Sequence, residues 1–370
     1  MRKTFKYMDK PLFIVSSILF VIGLIMVFSA SNVTAYMSQA VSPYNYFIKQ
    51  AIFLGVGLFI SFFVLKFSTR GIGIIACLLM LLGLAVQASL PFVAPVINDS
   101  RSWLDFKFFT IQPSEFMKVI SIVWLAFYYD NNKNKLNKYT TVFFPIIICL
   151  ASAILIYIEP DLGTMLIYGT IVAGVFLIQP VDWGIKLKTA GIVLGIGALG
   201  VAFMLGTGRN VLIDRQKQRL DTGSPCEKLL TTGNQICNGY IAINNGGLKG
   251  VGLGNSTQKY LYLPEPYTDF IFCIIIEELG LITGIAIILM YMFVLWRIIR
   301  IGRRSNSNMG ATMCYGIALY IFIHIAVNLL GLLGVIPMTG VPLPFMSYGG
   351  SFTICLLTSL TLVQKVCIES

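Results

Sequence analysis

Ten runs of about twenty mostly apolar residues follow one another along this chain, at roughly 11–34, 46–67, 71–94, 112–129, 140–158, 161–180, 188–206, 268–296, 309–332 and 350–366. A helix of that length rises about 30 Å, the thickness of a bilayer's hydrocarbon core. Only helices and closed barrels satisfy every backbone polar group in lipid, and runs this long suit helices. Composition agrees: 56% of the 370 residues are hydrophobic and 12% charged, against roughly 25% charged in a soluble domain. The sequence therefore predicts an all-α integral membrane protein of about ten transmembrane helices, one membrane domain over residues 1–370. The first run, from Pro11 to Ala30, is long enough to span, and no small-residue cleavage site follows a short core. It reads as a helix that stays, not as a signal peptide.

The formal net charge is +11. In a membrane chain such an excess belongs to cytoplasmic loops and anionic lipid, and no nucleic-acid motif accompanies it. With the N-terminus inside, the short cytoplasmic loops hold 16 of the 27 lysines and arginines. Arg297, Arg300, Arg303 and Arg304 are the densest group, while the short loops opposite keep only Lys49, Arg101 and Lys107. Both termini are thus expected in the cytoplasm, leaving about 207–267 as the one large extracellular loop. Its Gly- and Asn-rich stretch "NNGGLKGVGLGNSTQ" (244–258) does not read as regular helix. Sixty residues without an obvious element is long for a passive connection and favours a functional loop. Cys226 and Cys237 lie in this segment, where an oxidising exterior could join them or leave them apart. The other six cysteines read as small buried hydrophobes. The single histidine, His324, sits inside an apolar run, which argues against a cysteine–histidine metal site.

Ionisable side chains inside spans are costly, so each one is a functional candidate. They gather toward the outward half. The fourth run opens with Gln112, Pro113, Ser114 and Glu115, and Lys118 shares a helix face with Glu115. The two form either a structural ion pair or the charged wall of a polar cavity. Arg101, beside Trp103, Phe106, Lys107 and Phe108, belongs to an interfacial belt or meets a lipid phosphate, whose geometry suits guanidinium. Asp161, in "EPDLGT" (159–164), is a helix N-cap or a site residue. The densest cluster is "YLPEPYTDFIFCIIIEELG" (262–280), with Glu265, Asp269, Glu277 and Glu278. Asp269 could simply cap the next helix. Glu278 lies about 13 Å deeper at 1.5 Å per residue, so it or Glu277 is expected to brace packing or pair with a base. The irregular "GVIPMTGVPLPFMSYGGSF" (334–352) is expected to dip into an outward vestibule, bringing Ser347 and Tyr348.

At these motifs the chain resembles the SEDS family, that of FtsW, RodA and SpoVE, nearly end to end. The resemblance rests on "SRSWLDFKFFTIQPSEFMK" (100–118), "EPDLGT", "AINNGGLKGVGLGNSTQKYLYLPEPYTDFIF" (242–272), "EELG" (277–280) and "PMTGVPLPFMSYGGS" (337–351). It implies a peptidoglycan glycosyltransferase of the bacterial plasma membrane, polymerising lipid II into glycan strands at the outer face. Its implied partners are a class B penicillin-binding protein and other division or elongation machinery. Asp269 matches the family's catalytic aspartate, and Glu115, Lys118 and Asp161 match polar residues of its central cavity. "GLGNSTQKYLYLPE" (252–265) resembles the FtsW and SpoVE forms more than that of RodA, which favours a division role over elongation. The chain departs from the family pattern in having Tyr267 where histidine is usual, Glu159 where glutamine is common, and the Cys226/Cys237 pair.

On this reading Asp269 is the candidate general base for a sugar hydroxyl. Arg101, Lys118, Arg209 and Arg215 are candidates to meet the leaving pyrophosphate, with Glu265 and Ser347 also at the substrate site. Mg²⁺ or Mn²⁺ could be held by Asp269 or Glu265 with the phosphates, since Mg²⁺ often uses one or two carboxylates plus substrate oxygens. Two rival readings are a lipid II flippase or other transporter, and a scaffold without catalysis. A transporter should carry its polar residues through to the cytoplasmic side.

Overall fold

The computed structural model of the protein describes residues 6–37, 41–96, 100–106, 109–206, 225–227, 233–260 and 262–370. Among the described residues the α-helices are α1 (Lys10–Met37), α2 (Asn45–Lys66), α3 (Thr69–Val93), α4 (Pro113–Asn131), α5 (Tyr139–Ile158) and α6 (Leu162–Ile178), followed by α7 (Trp183–Gly206), α8 (Asn234–Gly246), α9 (Ile271–Arg304), α10 (Asn308–Leu332) and α11 (Gly350–Glu369). Between α3 and α4, Leu104–Asp105 and Thr110–Ile111 form a two-residue antiparallel pair. All helices but α8 coincide with the apolar runs of the sequence. Among the described residues seven are long and apolar enough by themselves to cross a bilayer. Of the rest, α4 carries Glu115, Lys118 and Asp130, and α6 has 17 residues. The protein is a multi-pass membrane protein.

Helix starts follow local chemistry. Ser68 caps α3 and Ser307 caps α10, each accepting from the backbone N–H three residues on. Pro113 opens α4, where a missing N–H costs nothing. The buried layer is α4, α9, α10 and α11. Large apolar side chains such as Phe59, Leu82 and Leu194 of α2, α3 and α7 are exposed, as befits helices facing lipid. Close approach depends on small residues, because lipid tails compete with any apolar contact. At Gly23 of α1 a Cβ would come 1.9 Å from the carbonyl oxygen of Phe345.

The long 207–267 segment corrects one expectation. It contains α8, which takes in Asn244, Asn245 and Gly246 of the stretch read as non-helical. Asn and Gly are poor helix formers, so local propensity argued against it. Tertiary packing overrides propensity here. Ile236, Cys237 and Ala242 bury against the rest of the fold, and Cys237 is disulfide-bonded to Cys226 with the Cα atoms 5.0 Å apart.

Helix α9 is broken at Gly280, whose φ of 87° lies in the left-handed region. The backbone groups freed by the break are taken up by the loop after α8. Val251 and Gly252 donate to the carbonyls of Glu277 and Glu278, both at 2.9 Å. Leu281 and Ile282 donate in turn to the carbonyls of Gly247 and Leu248, at 3.0 and 3.3 Å. Irregular backbone inside lipid is tolerated only when its polar groups are met in this way. Gly250 faces Gly280 so closely that a Cβ on either would clash with the other's backbone.

The start of α1 and the ends of α9 and α11 meet at one end of the bundle. The N–H of Asp9 donates to Gln364 of α11, and its carboxylate pairs with Arg297 of α9. The starts of α4, α6, α9 and α11 gather with the end of α10 at the opposite end.

Candidate active site

The backbone around Asp269 is held residue by residue. The carbonyl of Tyr267 accepts from the N–H of Tyr348 at 2.9 Å. That of Thr268 accepts from the Ser347 hydroxyl at 2.6 Å, and that of Asp269 from Asn328 Nδ2 at 3.0 Å. Asn328 gives its second amide hydrogen to the carbonyl of Val341 at 2.8 Å. Three consecutive carbonyls are thus fixed by α10 and by the 333–349 loop. Tyr267 adds a ring cluster with Tyr46 and Tyr348, at centroid distances of 4.4 and 5.9 Å, and its hydroxyl donates to that of Tyr46. Burial and that hydrogen bond push the Tyr267 phenol well above its ordinary value. Through these ring contacts and this hydrogen bond Tyr267 anchors the segment. The Asp269 side chain itself is half-buried.

The 333–349 loop joins two acidic residues. A Cβ on Gly340 would sit 3.5 Å from Asp269 Oδ2, and one on neighbouring Gly163 would sit 2.9 Å from Thr339 Cβ. Adjacent residues of one loop therefore touch the Asp269 side and the start of α6. Asp161 caps α6 through Thr164 N at 3.0 Å, and its other oxygen accepts from Gln112 Nε2 at 3.1 Å. The N–H of Gln112 bonds the hydroxyl of Ser351 at the start of α11. Beside Asp161, Glu159 is 1% exposed. Burial and then the Asp161 charge push its carboxyl up to about 8, so it is largely protonated at neutral pH.

Deeper in the bundle, Lys118 Nζ lies 2.7 Å from Glu115 Oε1 and 3.0 Å from His324 Nε2. His324 Nδ1 faces the carbonyl of Tyr320 at 2.8 Å. A carbonyl only accepts, so Nδ1 carries the hydrogen and Nε2 is the acceptor for the lysine. Asn328 stands one turn beyond His324 on α10. The Glu115–Lys118–His324 group is therefore joined through α10 to the backbone of Asp269. Lys118 is 1% exposed with both neighbours engaged. Arg101 is exposed, and its guanidinium donates to the carbonyl of Pro91 at 2.5 Å.

The remaining expected residues divide. Glu265 is exposed, with φ 50°, and its carbonyl accepts from Thr268 N at 3.2 Å. Ser347 does not open onto a vestibule: it is 2% exposed and its hydroxyl is engaged by Leu343 N and the Thr268 carbonyl. Glu277 accepts from Ser256, Thr257 and Asn245, and Glu278 pairs with Lys259 at 2.9 Å. Both glutamates hold the loop after α8 onto α9. Arg209, Arg215, Lys107 and Phe108 lie outside the described residues. Sequence reasoning weighs His324 only against a metal site and does not reach Asn328. The signal was present: both are polar, one turn apart, within the apolar run "YIFIHIAVN" (320–328).

Comparison with known proteins places this arrangement. The FtsW/RodA/SpoVE family model, described as cell cycle protein, matches residues 9–370. The stage V sporulation protein E of Bacillus subtilis is 37% identical over 97% of this chain and 96% of its own. A protein of the same bacterium named probable peptidoglycan glycosyltransferase FtsW is 32% identical over 99% and 92%. Among solved structures, a chain from work on the coordination of polymerization and crosslinking by a peptidoglycan synthase complex superposes with a TM-score of 0.72. It is 23% identical, and 97% of each chain is covered. The rod shape determining protein RodA of Thermus thermophilus gives 0.68 at 23% identity, over 97% of this chain and 96% of its own. At that identity the two structures speak for the fold alone.

Proposed function

Because the chain belongs to the FtsW/RodA/SpoVE family over residues 9–370, we propose that it is a peptidoglycan glycosyltransferase of the bacterial plasma membrane, extending glycan strands from lipid II at the outer face. The observation that carries the reading is the half-buried Asp269, whose backbone is pinned at three successive carbonyls. A general base must be held in place before the substrate arrives, and such positioning is worth several kcal/mol of the barrier. The 4-hydroxyl of the acceptor sugar gives its proton to the Asp269 carboxylate while its oxygen attacks the anomeric carbon of the donor. The bond to the lipid pyrophosphate breaks with inversion.

Charge developing on that pyrophosphate needs positive partners. Arg101 is exposed and bonds the Pro91 carbonyl through one guanidinium nitrogen, which leaves further donors for a phosphate, and Arg209 and Arg215 are assigned the same part. Lys118 is already bound by Glu115 and His324, so it acts in place by holding the floor of the site rather than by reaching out. Among the described residues no three His, Cys, Asp or Glu side chains gather to hold a metal. Mg²⁺ or Mn²⁺ would thus be shared between Asp269 or Glu265 and the phosphate oxygens, where it would neutralise leaving-group charge. The partner is a class B penicillin-binding protein that cross-links the strands. Two relatives, named SpoVE and FtsW, are 37% and 32% identical, which supports a division-type or sporulation-type role over an elongation role.

The test uses purified protein in detergent, with and without the class B partner, supplied with lipid II and Mn²⁺ or Mg²⁺. Glycan polymer from wild type and none from Asp269→Ala is the expected result. Polymer from both would remove Asp269 as the base. No polymer from either, with the partner present and lipid II bound, would turn the reading toward a transporter or a scaffold.

A further inference from the structure

At the end of the bundle away from Asp269, α9 finishes in four arginines. Arg297, Arg300 and Arg304 are spaced three and four residues apart, so they share one helix face. With Asp9, Cys367 and Ser370 they line a cavity of about 280 Å³. The acid within it is already engaged. Asp9 bonds Arg297 through both carboxylate oxygens and caps α1 by accepting from Leu12 N at 2.9 Å. Neither Arg300 nor Arg304 has a salt-bridge partner among the described residues. Three arginines against Asp9 leave the lining net positive.

Depth and surroundings indicate what such a cavity takes. From Leu281, just past the break at Gly280, to Arg297 the helix rises about 24 Å through mostly apolar sequence, and the arginines follow at its end, where a basic cluster belongs at headgroup level. Trp296 is exposed and lies beneath two of them, 5.4 Å from the Arg297 guanidinium and 5.2 Å from that of Arg300. An exposed indole at this level is an interfacial anchor. Leu289, Met292, Trp296 and Ile299 form an exposed apolar stripe along this half of α9. A positive cavity above a lipid-facing stripe fits a molecule with an anionic head and acyl tails. A soluble anion would have no use for the stripe.

We propose that this cavity binds the phosphodiester headgroup of an anionic phospholipid, in the leaflet opposite the Asp269 site. Arg300 and Arg304 meet the phosphate, and the acyl chains lie along the stripe. Since Asp9, Arg297 and Gln364 already join α1, α9 and α11 here, the lipid would lock the ends of those three helices together.

Native mass spectrometry of the full-length protein in detergent tests this, with phosphatidylglycerol, cardiolipin and phosphatidylcholine titrated in turn. The anionic lipids should be retained selectively over phosphatidylcholine. At about fivefold per basic residue, the double variant Arg300→Gln/Arg304→Gln should bind them roughly 30-fold more weakly. Arg300→Lys/Arg304→Lys should keep most of the affinity. Equal retention of phosphatidylcholine, or an unchanged glutamine variant, would overturn the proposal. So would displacement of the lipid by inorganic phosphate, which would mark a soluble anion, or by an acidic peptide, which would mark a protein partner. Should the glutamine variant not fold, the lipid selectivity of the wild type still decides.

Discussion

Replacing Lys259 by methionine should destabilise the protein more than almost any other single exchange outside its glycines. The Lys259 ammonium is 1% exposed and makes three contacts, to Glu278 Oε1 at 2.9 Å, the Gly254 carbonyl at 2.6 Å and Ser29 Oγ at 3.4 Å. Those contacts match its three donors. Methionine fills nearly the same volume, so packing is kept and the charge alone is lost. Glu278, also 1% exposed, would then keep only the Ser29 hydroxyl, at 2.7–2.8 Å. Removing one partner of a buried pair costs about 3–5 kcal/mol, because the other charge is stranded. Removing both is often near neutral. Thermal unfolding in detergent would read Lys259→Met as a fall of roughly 4–6 °C on the usual size scaling for 370 residues. The double variant Lys259→Met/Glu278→Gln should recover most of it, giving a coupling of about 2 kcal/mol or more in a double-mutant cycle. A loss below about 1 kcal/mol for the single variant, or strict additivity in the double, would refute the claim that this pair is desolvated and holds the loop onto α9.

Two further outcomes follow from the site. Glu159 is raised in the fold, so its contribution is full below the ordinary carboxylate value of 4.5 and is lost as pH rises through about 8. Wild-type thermal stability should therefore decline over that window, by at most about 5 kcal/mol in total. Glu159→Gln should flatten the decline while leaving glycan synthesis at neutral pH intact, and an unchanged slope would show that another group titrates there. Asn328→Ala frees the carbonyls of Asp269 and Val341 together. Polymerisation should drop about tenfold or more with lipid II binding preserved, since small misplacements of a catalytic group carry penalties of that order. Equal losses of binding and turnover would mean that Asn328 only supports the fold.

The two halves of the site differ in how they are stabilised. The Asp269 segment is held at its backbone carbonyls by Tyr348 N–H, Ser347 Oγ and Asn328 Nδ2, and Asp269→Ala keeps all three of those acceptors. Lys118 and His324 are placed by each other, so altering either redistributes charge through the whole Glu115–Lys118–His324 group.

The membrane class and the order of the helices were legible in the sequence because lipid imposes a one-dimensional rule. A span needs about twenty apolar residues in a row, and any charge within it stands out. By the same rule Glu115, Lys118, Asp161 and Asp269 were visible as candidates. The rule could not say which of them would share a neighbourhood. Nor could it show that Ser347 is buried as a clamp, that α8 forms in a stretch of poor helix formers, or that the loop after α8 completes the hydrogen bonds of a broken α9. Those outcomes depend on contacts between segments far apart in the chain, such as Gly250 with Gly280 and Asn328 with Asp269. Local composition carries no record of such pairings. Only the packed bundle, where each freed backbone group must find a partner because lipid offers none, decides them.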